Sequence, residues 1–238
     1  MTARWTDSGY NPIADFQPRQ FDHFDDLPAL PVLLETLLLL ELEAQERSID
    51  LRRVTELVLS DLGATLQIMR LAAREQACAE FRLSRIEDCI ADLGFDLCLQ
   101  SLLANTVSRA AGQNAITETW AHAKEIAVYS RQIAEERQDV DPGEAYLAGL
   151  LHAIGILPAV LGWASGKYGV SDFELAGFKL ANTWSLAPFL VNFLGEVSDE
   201  TCTSPLPQIV REAHLRADRS VIQCPLDQRL GPFLFRTA

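Results

Sequence analysis

Apolar residues recur at spacings of three and four along most of the chain, with polar residues between them. Leu51, Val54, Leu57 and Val58 share one side of the stretch SIDLRRVTELVLSD. Leu62, Leu66, Met69 and Ala73 do the same in LGATLQIMRLAAREQA. A period of 3.6 residues brings such positions onto one face, so each stretch predicts an amphipathic helix. LPALPVLLETLLLLELEAQ predicts a first helix that runs to Gln45, with Pro31 in its opening turn. Further helices are predicted in SRIEDCIADLG, FDLCLQSLLANTVSRAAG, TETWAHAKEIAVYSRQIAEER and PGEAYLAGLLHAIGIL, the last ending near Pro158. DFELAGFKLANTW, LAPFLVNFLGE and LPQIVREAHLRADR complete the series. No stretch alternates as a strand would, and no short repeat is present.

The boundaries carry their own chemistry. Asp61 stands where it would cap the helix that follows. Ser84 and Glu87 have capping-box spacing, and Gly94 and Gly112 stand where helices would end. Asp141, Pro142 and Glu144 supply a cap, a first-turn proline and a capping-box acid together. The expected class is all-α: a compact multi-helix bundle in which short loops join helices with apolar faces. Residues 1–26 read as an irregular arm and 221–238 as an irregular tail. Between them, 27–112 and 113–220 form two helical subdomains.

Composition narrows the function classes. The chain has 238 residues, 48% of them hydrophobic and 22% charged, enough for a core that needs no disulfide or metal. Its net charge of −13 opposes binding to nucleic acid or anionic lipid. The five cysteines (Cys78, Cys89, Cys98, Cys202, Cys224) form no C-x-x-C pair, which fits a reducing compartment. The polar N-terminus lacks an apolar signal segment. YLAGLLHAIGILPAVLGWA has the length of a membrane span but carries His152, Pro158 and three glycines, and reads as buried helix. A cytoplasmic protein is expected.

Four histidines are present: His23, His122, His152 and His214. His122 shares a face with Ile126, Tyr129 and Ile133, an inward-looking one. His152 shares its face with Ala145, Ala148 and Gly155, small residues that admit a close neighbour. Adjacent helices could bring the two imidazoles together, and one or two carboxylates would then complete a metal site. The carboxylate is missing locally: Ala153 follows His152, and residues 145–165 contain no acid. Asp218 is the one inward-looking acid near a histidine. The plain alternative is a pair of buried, neutral, hydrogen-bonded histidines. No nucleophile elbow and no strand-borne glycine loop is present. Arg70, Arg74, Arg82 and Arg85 form a basic cluster on the acidic background. They suit a small anionic ligand or an acidic partner, or salt bridges to Glu75, Glu80, Glu87 and Asp88. Trp120, Trp163, Phe173, Phe178 and Trp184 read as core.

The order of these segments resembles the HDOD domain family over about residues 27 to 220. LPALPVLLETLLLLELEAQ is similar to the family's opening LPxLP stretch and first helix. SRIEDCIADLGFDLCLQSLLA, WAHAKEIAVYSRQIA, PGEAYLAGLLHAIGILPAVL and ELAGFKLANTWSLAPFLVNFL match its later segments in order. That family is a divergent branch of the HD superfamily, whose metal-dependent phosphohydrolases use a His, a His-Asp pair and a later Asp. By position the resemblance carries over His122, the pair His152–Ala153, and Asp218 at the end of HLRAD. It departs at Ala153, at Phe173 and at Val197 and Ser198, where relatives carry ligand-type residues, and at Ile156, where a Lys is frequent.

The resemblance therefore implies a degenerate pocket without metal, cofactor or catalysis. The expected role is bacterial signal transduction, through a protein partner met in trans or through ligand sensing. The competing expectation is a residual phosphohydrolase acting on a nucleotide or cyclic dinucleotide through His122, His152 and Asp218. A third keeps the pocket as an anion-binding site to which Arg131, on the His122 helix, contributes.

Overall fold

The computed structural model describes residues 30–75, 85–104, 113–161, 173–197 and 201–217. Among them all regular structure is helical, as the periodicity predicts. The first group is Leu34–Ala44 (α1), Leu51–Leu59 (α2), Leu62–Glu75 (α3), Ile86–Leu93 (α4) and Phe95–Ala104 (α5). Gln113–Arg137 (α6) and Pro142–Leu151 (α7) follow, then a 3-10 turn at Ile154–Ile156 and one helical turn at Leu157–Val160 (α8). Phe173–Thr183 (α9), Pro188–Glu196 (α10) and Pro205–Ala217 (α11) close the series. The expected arm at 1–26 and tail at 221–238 lie outside the described residues, as do Ser84, Gly112 and Trp163.

Helices α1 to α5 pack on one another, and α6, α7 and α11 form a second set that α9 and α10 flank. Contacts between α3 and α6 join the two, and one continuous apolar cluster runs through both. Helix α6 is the spine. Its Thr119, Trp120, His122, Ala123, Ile126, Ala127, Ser130, Ile133 and Ala134 are all buried, which is more than one stripe of a helix. Of the aromatics assigned to the core, Trp120, Phe178 and Trp184 are buried there.

The caps explain where the helices start. Asp50 accepts from the Arg52 and Arg53 amides at the head of α2, 3.0 and 3.3 Å away. Asp141 accepts from Gly143 and Glu144 at 2.8 and 3.1 Å, with Pro142 in the first turn of α7. Gly94, at φ +81, ends α4, a backbone state that glycine adopts without strain. Two boundaries differ from the sequence reading. Pro31 precedes α1 in an extended entry, because the Leu33 amide is drawn to a side chain of α3's cap. Helix α7 ends with His152 as its C-cap rather than running to Pro158.

That capping side chain is Asp61. Its carboxylate accepts from Ala64 N–H at 3.1 Å, which starts α3, and from Leu33 N–H at 2.7 Å, which fixes the entry to α1. It also accepts from Trp120 Nε1–H at 2.8 Å, which holds α6. Burial pushes the carboxyl above the usual aspartate range, and these donors with Thr36 pull it back only in part. A second tie runs from the Tyr146 hydroxyl to the Leu59 carbonyl, 2.9 Å, linking α7 to the end of α2.

Asp61→Ala leaves those donors buried without an acceptor. It is expected to cost about 3 kcal/mol or more in urea denaturation, with Asp61→Asn intermediate. A cost below about 0.5 kcal/mol would contradict the hub. Gly149 marks the closest approach of α7 to α6: a Cβ there would meet Ser130 Oγ at 2.6 Å, Ala127 Cα at 2.8 Å and the Ile126 carbonyl at 2.9 Å. Alanine normally favours a helix interior by about 1 kcal/mol over glycine. Gly149→Ala is nevertheless expected to destabilise by about 1–3 kcal/mol, the usual cost of overpacking, and a stabilised variant would refute the close crossing.

Candidate functional site: a cluster of three buried histidines

Three helices converge where α7 ends. His122 comes from α6, His152 from the C-cap of α7 and His214 from α11, with exposures of 2%, 5% and 6%. Ring centroids lie 5.2 Å apart for His122–His152, 5.2 Å for His122–His214 and 4.7 Å for His152–His214. One ring nitrogen from each lies within 4.8 Å of the others. Among the described residues this is the one group of three or more His, Cys, Asp or Glu side chains placed to share an ion.

Local sequence sets each ring. His122 sits two residues beyond Trp120, about 200° around the helix. Trp120 therefore serves the Asp61 side of α6 while His122 faces α7 and α11. His214 lies four residues after Val210 and three before Ala217, both buried, so it occupies the inner stripe of α11. His152 Nδ1 is 2.6 Å from the Gly149 carbonyl. A carbonyl can only accept, so Nδ1 carries the proton and Nε2 keeps a lone pair. That Nε2 is buried and has no hydrogen-bond partner among the described residues. Burial first, then the neighbouring His214 and His122, hold the His152 pKa well below its usual range. The ring is neutral near pH 7.

The sequence reading brought His122 and His152 together correctly in space, but it missed His214 as the third member. The inner-stripe spacing on α11 was the available signal, and the family pattern pointed one turn further on, to Asp218. Asp218 lies outside the described residues. Ala153 follows His152 with φ −103 and ψ 18, and is 3% exposed in an apolar setting. The described arginines have separate partners. Arg70 stacks on Trp184 at 5.3 Å, and Arg131 on Tyr146 at 4.2 Å. Arg74 pairs with Glu75 at 3.0 Å, and Arg85 with Asp141 at 3.3 Å, both at exposed positions. Arg82 lies outside the described residues.

The family model for the HDOD domain matches residues 27–165, more than half of the chain, and the chain belongs to that family. The fold is similar to the MmoQ response regulator of Methylococcus capsulatus strain Bath. The TM-score is 0.66 at 18% identity, covering 87% of this chain and 98% of that one. A second structure of that protein, residues 20–298, gives 0.62 at 20% identity, covering 87% and 89%. An HDOD domain protein of unknown function from Geobacter sulfurreducens matches at 23% identity with a TM-score of 0.35, covering 79% and 72%. No curated protein matches the chain.

The depressed His152 pKa has a consequence for the metal-free protein. The unfolded chain takes up this proton near the ordinary value of 6.5, the folded chain only at lower pH. The contribution of His152 to stability is therefore complete above that value and is lost as pH falls toward the folded pKa. For one proton the slope is limited to about 1.4 kcal/mol per pH unit. Denaturant titrations of chelator-treated protein between pH 7.5 and 5 should show this loss, and His152→Asn should remove it. Identical pH profiles for the two would contradict a buried neutral ring.

Proposed function

We propose that the protein is a non-catalytic HDOD signalling module, acting in bacterial regulation by binding a protein partner or sensing a ligand. The observation that carries this reading is the buried histidine cluster, which gathers no acid among the described residues. A hydrolytic metal centre needs an open coordination position that the substrate can reach. Here all three rings are buried, and the position beside His152 is a buried alanine. The described residues also contain no helix long and apolar enough to cross a membrane, and a cytoplasmic setting is part of the proposal.

A surface feature favours the partner-binding form. Leu34, Leu38 and Leu42 repeat every four residues on α1 and are 58%, 51% and 57% exposed. Scattered exposed leucines need no explanation, but a ridge along one helix is the kind of surface that docks another protein. The described arginines lend less support to an anionic ligand, since Arg74 and Arg85 already have carboxylate partners. The second reading, a metal-dependent phosphohydrolase, is favoured by the gathering of three imidazoles in one place.

One assay separates the two. Purified protein is expected to give no turnover of nucleotides, cyclic dinucleotides or a chromogenic phosphodiester with added Mn²⁺, Mg²⁺ or Fe²⁺. Robust turnover that vanishes in His152→Ala would establish the enzyme instead.

A further inference from the structure

We infer that His122, His152 and His214 form a binding site for one zinc-class divalent cation, held by three neutral imidazoles. The mixed histidine–carboxylate set implied by the HD resemblance does not fit these residues, because Ala153 offers no ligand. His214, absent from that set, supplies the third nitrogen. The ligand chemistry has therefore changed rather than merely decayed.

The geometry is close to what an ion requires. Zn–N distances are about 2.0–2.1 Å, which places nitrogens around a tetrahedral ion about 3.4 Å apart. The three donor nitrogens already lie within 4.8 Å of one another. Closing the widest pair takes about 1.4 Å, within reach of small side-chain rotations. The protonation state is also set. The Gly149 carbonyl holds the proton on His152 Nδ1 at 2.6 Å, leaving Nε2 as the free lone pair. An outer hydrogen bond of this sort is how metal-binding histidines are oriented and their tautomer fixed. Carbonyl-anchored and neutral, the ring needs no deprotonation before it binds.

Selectivity follows from the donor type. Imidazole suits Zn²⁺, Co²⁺, Ni²⁺ and Cu²⁺, whereas Mg²⁺ and Mn²⁺ prefer carboxylate and water oxygens. With three imidazoles and, among the described residues, no acid in the cluster, Mg²⁺ and Mn²⁺ should bind poorly. The consequence is structural. The three ligands come from α6, α7 and α11, so the ion would clamp three helices at one point, alongside the Arg216–Glu136 ion pair that already ties α11 to α6. Binding is thereby linked to the stability of this half of the fold. The inference goes beyond the proposed function and stands apart from it: a bound ion without turnover leaves the signalling reading intact.

The test uses the full-length protein, stripped with chelator, desalted and titrated with Co²⁺. One Co²⁺ per chain is expected by elemental analysis, with a visible absorption band characteristic of low coordination number. Zn²⁺ should displace it, and equal Mg²⁺ or Mn²⁺ should not. His122→Gln and His214→Gln should each lose the band while keeping the far-ultraviolet circular dichroism of the parent. Zn²⁺ at about a hundredfold excess over Kd should raise Tm by about 5–10 °C. X-ray absorption of the zinc-loaded native protein covers the case in which a variant fails to fold. It should give imidazole scattering with nitrogens near 2.0 Å, and no sulfur shell near 2.3 Å. Absence of bound metal, binding unchanged in both variants, displacement by Mg²⁺ or Mn²⁺, or a sulfur shell would each overturn the inference.

Discussion

A single buried carboxylate fixes the relation between the parts of this molecule. Asp61 starts α3, anchors the segment that leads into α1 and grips Trp120 on α6. A charge in that position costs a great deal of hydration, and the raised pKa records the cost. What offsets it is the number of donors, drawn from three separate stretches of chain. The demand is mutual: the amides and the indole would be orphaned without the carboxylate, and the carboxylate would be orphaned without them. Such a network specifies one arrangement of the backbone far more tightly than apolar contact does, because near misses leave polar groups unpaired.

The histidine cluster inherits its position from that grip. Trp120 and His122 project from nearly opposite sides of α6, so the hub that seats the indole also orients the imidazole toward α7 and α11. Gly149 then sets the depth at which α7 lies on α6, and its carbonyl sets the tautomer of His152 three residues later. One glycine thus links helix packing to ring chemistry. The helix stops there as well. With His152 at the C-cap and a 3-10 turn following, the chain bends at the cluster instead of passing it.

How much of this the sequence discloses depends on the range of the interaction. Local rules were legible. Asp141 with Pro142 opens α7, Gly94 closes α4, and Asp61 caps α3, each as the spacing of residue types predicts. Inward faces were legible too, since His122 and His152 lie on apolar stripes. Partners were not. Nothing near Asp61 in sequence announces Leu33 or Trp120, and the Leu33 bond displaced the predicted start of α1. His214 occupies an inner stripe as plainly as His122 does. Which buried histidines meet, however, is decided by the crossing of α6, α7 and α11, and periodicity is silent on crossings. The described arginines divide in the same way: the Arg74–Glu75 pair was legible as a neighbour in sequence, whereas the partners of Arg70 and Arg85, Trp184 and Asp141, are distant in the chain.

The alanine after His152 bears on more than catalysis. A carboxylate there would be a buried anion beside neutral imidazoles, costly to the folded state unless an ion neutralised it. A site of that kind ties folding to metal loading. With alanine, position 153 adds no fixed charge to the cluster, and the metal-free fold bears no such penalty there. Empty and loaded forms can then both be stable, separated by the clamping of three helices rather than by folding itself. A protein that survives in both states can report on which one it is in. On this argument, an alanine at this position supplies a condition that a reversible sensor needs.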